Sequence, residues 1–245
     1  MAGPLRQSAV MHMVRNDALN MPESRASHDE WIRQLKARVR DPRTELAPTA
    51  QRLLAGARKV VLEKGFGGLT LSNISKASQE NVASVKYYFG NKAGLVSALL
   101  DTVIFDQVSA LSNLQETAPA GTAVGTLAAD TAAMNRPIPA QRILFAVLSH
   151  ALQDRQLLKQ LRAYYRTFFE LHLEQVGRTE GLDPDQRSNL HGLATLLSAI
   201  GDGLSIQALV APDCFDIDET LATLDVLLQR GLPALVQARP SEDPK

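Results

Sequence analysis

Residues 70–96 hold a short run of side chains suited to gripping a polyanion. Thr70, Asn81, Ser84, Lys86, Tyr87 and Lys92 supply hydroxyl, amide, phenol and ammonium groups. Hydroxyls, amides and ammoniums can donate hydrogen bonds to phosphate oxygens. Lys86 could donate to guanine and Asn81 to adenine, where major-groove edges expose the matching acceptors. Val82 and Ala83 are small and apolar, as a thymine methyl requires. This is recognition chemistry, and double-stranded DNA is the partner it suits.

Such groups are useful only if one rigid element presents them. Thr70 precedes Leu71 and Ile74 at helical spacing and can cap a helix ending near Ser78. Gln79, Glu80 and Asn81 read as a turn, after which Asn81 caps a helix from Val82 to about Phe89. Val85, Tyr88 and Phe89 form its buried stripe, leaving Ser84, Lys86 and Tyr87 outward. Gly90 stops it, and Asn91 caps a longer helix from Lys92 to about Asn113, apolar at Leu95, Val96, Leu99, Leu100, Val103 and Leu111. Two short helices joined by a tight polar turn are a helix-turn-helix, which sets its second helix in the major groove. A first helix over Thr49 to Lys64, capped by Thr49 and stopped by Gly65, buries Leu53, Ala57, Val60 and Val61.

The 245 residues carry no net charge, yet the charge is unevenly placed. Residues 1–100 hold 15 Lys and Arg against 8 Asp and Glu, and residues 101–245 hold 11 against 18. A polyanion is drawn to the front half alone. The lone Cys214 excludes an intrachain disulfide and the cysteine-rich zinc spacings, which fits a reducing cytoplasm. No run of about 18 apolar residues and no signal-peptide pattern is expected to place the chain in or across a membrane. Nucleophile elbows, phosphate loops, dinucleotide fingerprints and paired metal ligands are absent, so no catalytic residue, cofactor or metal is expected.

The remaining chain divides by punctuation. Residues 1–47, with Pro4, Pro22 and Pro42, read as a partly disordered extension containing one amphipathic piece around Trp31, Leu35 and Val39. Its Arg25, Arg33, Lys36, Arg38, Arg40 and Arg43 could reach a DNA backbone as an arm. Residues 48–97 form the helix-turn-helix unit and residues 98–238 an acidic helical body, with helices near 122–135, 139–153, 154–177, 184–210 and 217–236. The fold class is all-α, with about nine helices. Within the rear body Phe145, His150, Tyr165, Phe168, Phe169 and His172 are candidates for lining a small-molecule pocket. Leu193, Leu197, Ile200, Leu204, Leu221, Leu224 and Leu228 are candidates for a subunit interface.

Residues Glu63–Thr70, the Ile74-Ser-Lys-Ala pattern, and above all Tyr87-Tyr-Phe-Gly-Asn-Lys-Ala-Gly-Leu-Val96 resemble the tetracycline-repressor family of bacterial transcription regulators. The last piece is similar to that family's Tyr-x-Phe-x-x-Lys-x-x-Leu signature. The resemblance covers residues 48–97, and a weaker one covers residues 198–210 and 215–228. It implies operator binding by the front unit, with Tyr87 and Lys92 on phosphate. It also implies a homodimer paired through the last two helices and a small-molecule inducer held in the rear domain. One departure is conspicuous: Ser78, Gln79 and Glu80 stand where the family has a small residue, glycine and an apolar residue. A carboxylate at Glu80 opposes phosphate, and an alternative follows: a helical interaction or sensor protein of the same fold with weak or lost DNA binding.

Overall fold

The computed structural model describes residues 41–117, 139–179, 182–183, 186, 189–214 and 216–237. Among them are eight α-helices and no strand: α1 (Pro48–Lys64), α2 (Leu71–Ser78), α3 (Val82–Phe89), α4 (Lys92–Thr117), α5 (Pro139–Ala151), α6 (Arg155–Thr179), α7 (His191–Val210) and α8 (Ile217–Gln237). Two single 3₁₀ turns, Phe66–Gly68 and Pro212–Cys214, join α1 to α2 and α7 to α8. The expected amphipathic piece around Trp31 and the helix near 122–135 lie outside the described residues. Among the described residues, internal contacts form two compact units, 41–109 with 139–164, and 110–117 with those from 165 to 237.

In the first unit the local signals act as the sequence implies. Thr70 Oγ1 accepts the Asn73 amide at 3.2 Å, Asn81 Oδ1 accepts Ala83 at 2.8 Å, and Asn91 Oδ1 accepts Gly94 at 2.9 Å. Each bond satisfies one of the donors a helix start leaves bare. Gly90 ends α3 at φ +75°, a conformation costly to any residue with a Cβ. The start of α1 differs from expectation. Ala47 holds the cap position without a side-chain bond, and Pro48 occupies the first turn, where its missing N–H costs nothing. Thr49 lies inside the helix, its hydroxyl accepting from Arg52 Nη2 at 3.0 Å.

Leu53, Ala57, Val60 and Val61 of α1 are buried with Leu69, Ile74, Val85, Leu95, Leu99 and Val103. Fully burying each large side chain stabilises by about 1.5–3 kcal/mol before entropy is counted. Leu71, expected inward, is 37% exposed, because α2 is only two turns long and Ile74 fills its buried side. Helix α5 packs on α1, and the Phe66 and His150 ring centroids lie 3.9 Å apart. A polar ladder joins α4 to the front of α6: Gln160 Nε2 donates to Asp101 Oδ1 at 2.8 Å, and the Tyr164 hydroxyl donates to Gln107 Oε1.

One carboxylate ties three parts of this unit together. Asp106 on α4 accepts from Arg58 of α1 at 2.7 Å and from Arg43, ahead of α1, at 2.8 Å. Arg43 also bonds Asp41 at 2.7 Å and lies 5.5 Å from the Phe105 ring centroid. Arg43, expected to be able to reach a DNA backbone as part of an arm, is instead tied to Asp41 and Asp106. Hydrogen bonds to charged groups contribute about 1.5–3 kcal/mol each when sheltered, less here because both arginines keep contact with water. Asp106→Asn should lower stability by about 1–2 kcal/mol, read as a drop of several degrees in thermal midpoint.

The second unit is built on α7 and α8. Leu173, Leu190, Ala194, Leu197, Leu228 and Leu232 form its buried cluster. Helix α7 begins at His191, not at 184, since residues 189 and 190 are a turn. It is long and apolar enough to cross a membrane by composition, with mean hydropathy 1.5, a length the sequence reading had not found. It is also a core helix of this unit, and Asp202 interrupts it near the middle.

Candidate nucleic-acid interface

Helix α3 is eight residues long and presents two sides. Val85 and Phe89 are buried, and Tyr88 and Ser84 are half-buried. Val82 is 40% and Tyr87 66% exposed, and Asn81, Ala83 and Lys86 are exposed beside them. An exposed valine and tyrosine on a short helix are uncovered apolar surface that water does not favour. The Tyr87 ring stands edge-on to Tyr88 with centroids 4.8 Å apart. Lys92 opens α4 immediately after, exposed, with its ammonium 5.8 Å from the Phe66 ring centroid. Thr70, at the head of α2, is exposed as well.

Two of these residues have their chemistry narrowed by local bonds. Asn81 commits one lone pair of Oδ1 to the Ala83 amide, which orients the side chain and leaves its Nδ2 donor open to a base edge. Thr70 Oγ1 is likewise engaged as a cap acceptor, leaving its hydroxyl proton to donate.

The turn between α2 and α3 shows how Glu80 is accommodated. Gln79 takes the left-handed conformation at φ 58°, which a residue with a Cβ adopts at a cost of roughly 1–2 kcal/mol. Ser75 Oγ donates to the Glu80 carbonyl at 2.6 Å. Glu80 itself does not pack as an apolar residue would. Its Oε1 accepts from Arg52 Nε at 2.6 Å, the Glu80 side chain being 17% and the Arg52 side chain 56% exposed. An ion pair so open to water contributes about 0.2–1 kcal/mol, enough to orient the groups and little more. The turn is held against α1 by close approach as well: a Cβ on Gly56 would lie 2.7 Å from Ser78 Cβ. Residues 48–97 carry seven Lys and Arg against Glu63 and Glu80 alone. Glu63 lies 3.9 Å from Lys59, so neither acid faces the interface unpaired.

The rear candidates separate. Phe145, half-buried, and His150, exposed against Phe66, belong to the first unit. Tyr165, Phe168 and Phe169 belong to the second, with Phe168 buried and the Tyr165 and Phe169 rings 6.0 Å apart. His172 falls among residues whose side chains lie outside the description. Sequence reasoning missed Asp202: its Oδ2 accepts from the Tyr165 hydroxyl at 2.7 Å. The signal was available, since it is the only charged side chain between His191 and Val210. Of the candidate interface leucines, Leu197, Leu204, Leu221 and Leu228 are buried within the chain itself, so they are core and not outer surface. Leu193, Ile200 and Leu224 are half-buried. The apolar side chains that α7 and α8 expose are Leu196, Ile206, Val210, Val226, Leu227 and Leu235.

Burial holds the Asp202 carboxyl above its usual range, with the Tyr165 bond opposing. Burial, then the Asp202 carboxylate, pushes the Tyr165 phenol up. A carboxyl whose folded pKa exceeds its unfolded value of about 3.9 binds its proton more tightly when folded. Its contribution is full below that pH and is lost as pH rises through the folded value. Asp202→Asn should therefore raise the thermal midpoint at neutral pH, with the gain disappearing below about pH 4. Melting curves across that range provide the check.

Comparison with known proteins adds the following. Residues 53–99 match the family model for bacterial regulatory proteins of the tetR family. Residues 111–233 match that for the C-terminal part of BetI-type transcriptional repressors. Among solved structures, a transcriptional regulator of Rhodococcus sp. Rha1 is similar with TM-score 0.62 at 20% identity, covering 76% of this chain and 96% of that one. Salmonella enterica GusR is similar with TM-score 0.56 at 20% identity, covering 78% and 96%. A protein of Saccharomonospora viridis solved in complex with choline is similar with TM-score 0.55 at 22% identity, covering 74% and 95%. No curated protein matches the chain significantly.

Proposed function

The chain belongs to the tetR family of bacterial regulatory proteins, DNA-binding transcription regulators, and from that premise we propose that it is a ligand-responsive homodimeric repressor. It acts in the cytoplasm on an inverted-repeat operator and leaves it when a small molecule binds the rear unit. It is a binder and not a catalyst.

The observation that carries this reading is the exposed row Asn81, Val82, Ala83, Lys86 and Tyr87 on a capped two-turn helix, followed at once by Lys92. Tyr87 and Lys92 bind phosphate, Thr70 adds a hydroxyl donor, and Lys86 with the Asn81 amide reads base edges. Two copies would set their α3 helices about 34–36 Å apart, so that successive major grooves are read from one side of the duplex. The alternative, a sensor of this fold without DNA binding, rested on the Glu80 charge. The Arg52 partner offsets that charge, which favours a working reader over one that has lost DNA binding.

The dimer surface is carried by the outward apolar side chains of α7 and α8, Leu196, Val210, Val226 and Leu227, in place of the buried leucines. Ligand works only through its different affinity for the two arrangements of the paired heads. Tyr165, Phe169 and Asp202 offer it rings and a carboxylate, a combination suited to an organic cation. The choline bound in the Saccharomonospora viridis protein is such a cation.

Selection of bound fragments from genomic DNA should return an inverted repeat; fragments with no two-fold pattern would refute the dimeric reader. With that fragment, Lys92→Ala should weaken binding about three- to tenfold at 0.1 M salt and flatten the salt dependence by about 0.9 per head. Titration calorimetry with choline should give a heat that Asp202→Asn reduces; an equal heat in both proteins would exclude Asp202 as the cation partner.

A further inference from the structure

Arg52 is a cation in an unusual position. It sits on α1, but its guanidinium reaches the residue directly before the Asn81 cap of α3. The N-terminal end of a recognition helix is the part that enters the groove, and phosphates flank the groove on both sides. A long exposed arginine at that end is within the region where backbone contacts form. Here it is occupied: Nε lies 2.6 Å from Glu80 Oε1 and Nη2 lies 3.0 Å from Thr49 Oγ1. The Glu80 side chain is the more sheltered partner and the Arg52 side chain the more open one, so Glu80 is the fixed half of the pair. Its backbone is pinned by Ser75 Oγ on the carbonyl and Ser78 Oγ on the amide.

We propose that Glu80 is a built-in attenuator of DNA affinity, holding the Arg52 guanidinium off the phosphate backbone. The inference rests on the DNA-binding reading above. The head meets DNA with the Arg52 cation already neutralised beside the reading helix, and a positive charge so neutralised releases no counterion. The pair thus lowers non-specific affinity without touching any group that reads a base.

The full-length chain is titrated by fluorescence anisotropy against a labelled duplex of mixed sequence, about 30 base pairs or three turns long, across a salt series. Glu80→Gln should tighten binding about two- to fivefold at 0.1 M salt, the worth of such a pair, and steepen the salt slope by about 0.9 per bound head. The double variant R52Q/E80Q should return both to wild-type values, because the freed guanidinium is gone. A Glu80→Gln protein that is folded by circular dichroism and binds like wild type overturns the proposal. So does a gain that persists in the double variant, which would mean simple loss of a repelling charge. If Glu80→Gln does not fold, Glu80→Val replaces it with the same two expectations. Wild type and every variant failing to bind at low salt would sink the DNA-binding reading itself, a result distinct from wild type binding with no change in Glu80→Gln.

Discussion

The position of the recognition helix depends on one close approach. Helix α1 and the end of α2 meet at Gly56 and Ser78, where no Cβ fits on the glycine side. Dense packing there leaves little freedom in how α2 sits on α1. From that contact the turn at Gln79 and Glu80 follows, then the Asn81 cap, then the direction of α3. Each later step is a local bond of a few residues' span. A wider separation at Gly56 would displace every group that α3 presents, even with all caps intact.

What could be read from the sequence was mostly what is decided locally. Thr70, Asn81 and Asn91 are caps because a side-chain oxygen finds an amide two or three residues on, and nothing distant intervenes. Gly65 and Gly90 mark helix ends through an equally local cause, a positive φ that a Cβ disfavours with the backbone N–H closing the last turn. Thr49 failed as a cap because Pro48 is itself a strong first-turn residue, and the two preferences compete one position apart. The partner of Glu80 lies 28 residues away and could not be found by spacing along one helix. The leucines of α7 and α8 show the limit of periodicity. An apolar stripe says that a face is covered, but the same chain or another copy can do the covering. Coordinates assign Leu197 and Leu228 to the former and leave Leu196 and Leu227 bare.

The charge asymmetry between the two halves acquires structural content at the level of single carboxylates. In the front unit Asp41 and Asp106 are paired with Arg43 and Arg58, and Glu80 with Arg52. These pairs neutralise arginines that would otherwise add to the basic surface, leaving Lys76, Lys86 and Lys92 exposed around the helix-turn-helix. In the rear unit Asp202 has no cation among its described partners and bonds a phenol instead. Acids thus shape the field of one unit and supply a polar anchor in the other.

The front unit is not a continuous stretch of chain: it closes only when residues 139–164 return to residues 41–109. Gln160 meets Asp101 across 59 positions of sequence, and Tyr164 meets Gln107 across 57. During synthesis the helix-turn-helix therefore leaves the ribosome well before its supporting helices do. At about 5–20 residues per second, that delay lasts several seconds, during which the flank of α4 that will receive α6 is bare. The nascent reading head is thus completed by residues translated long after its own.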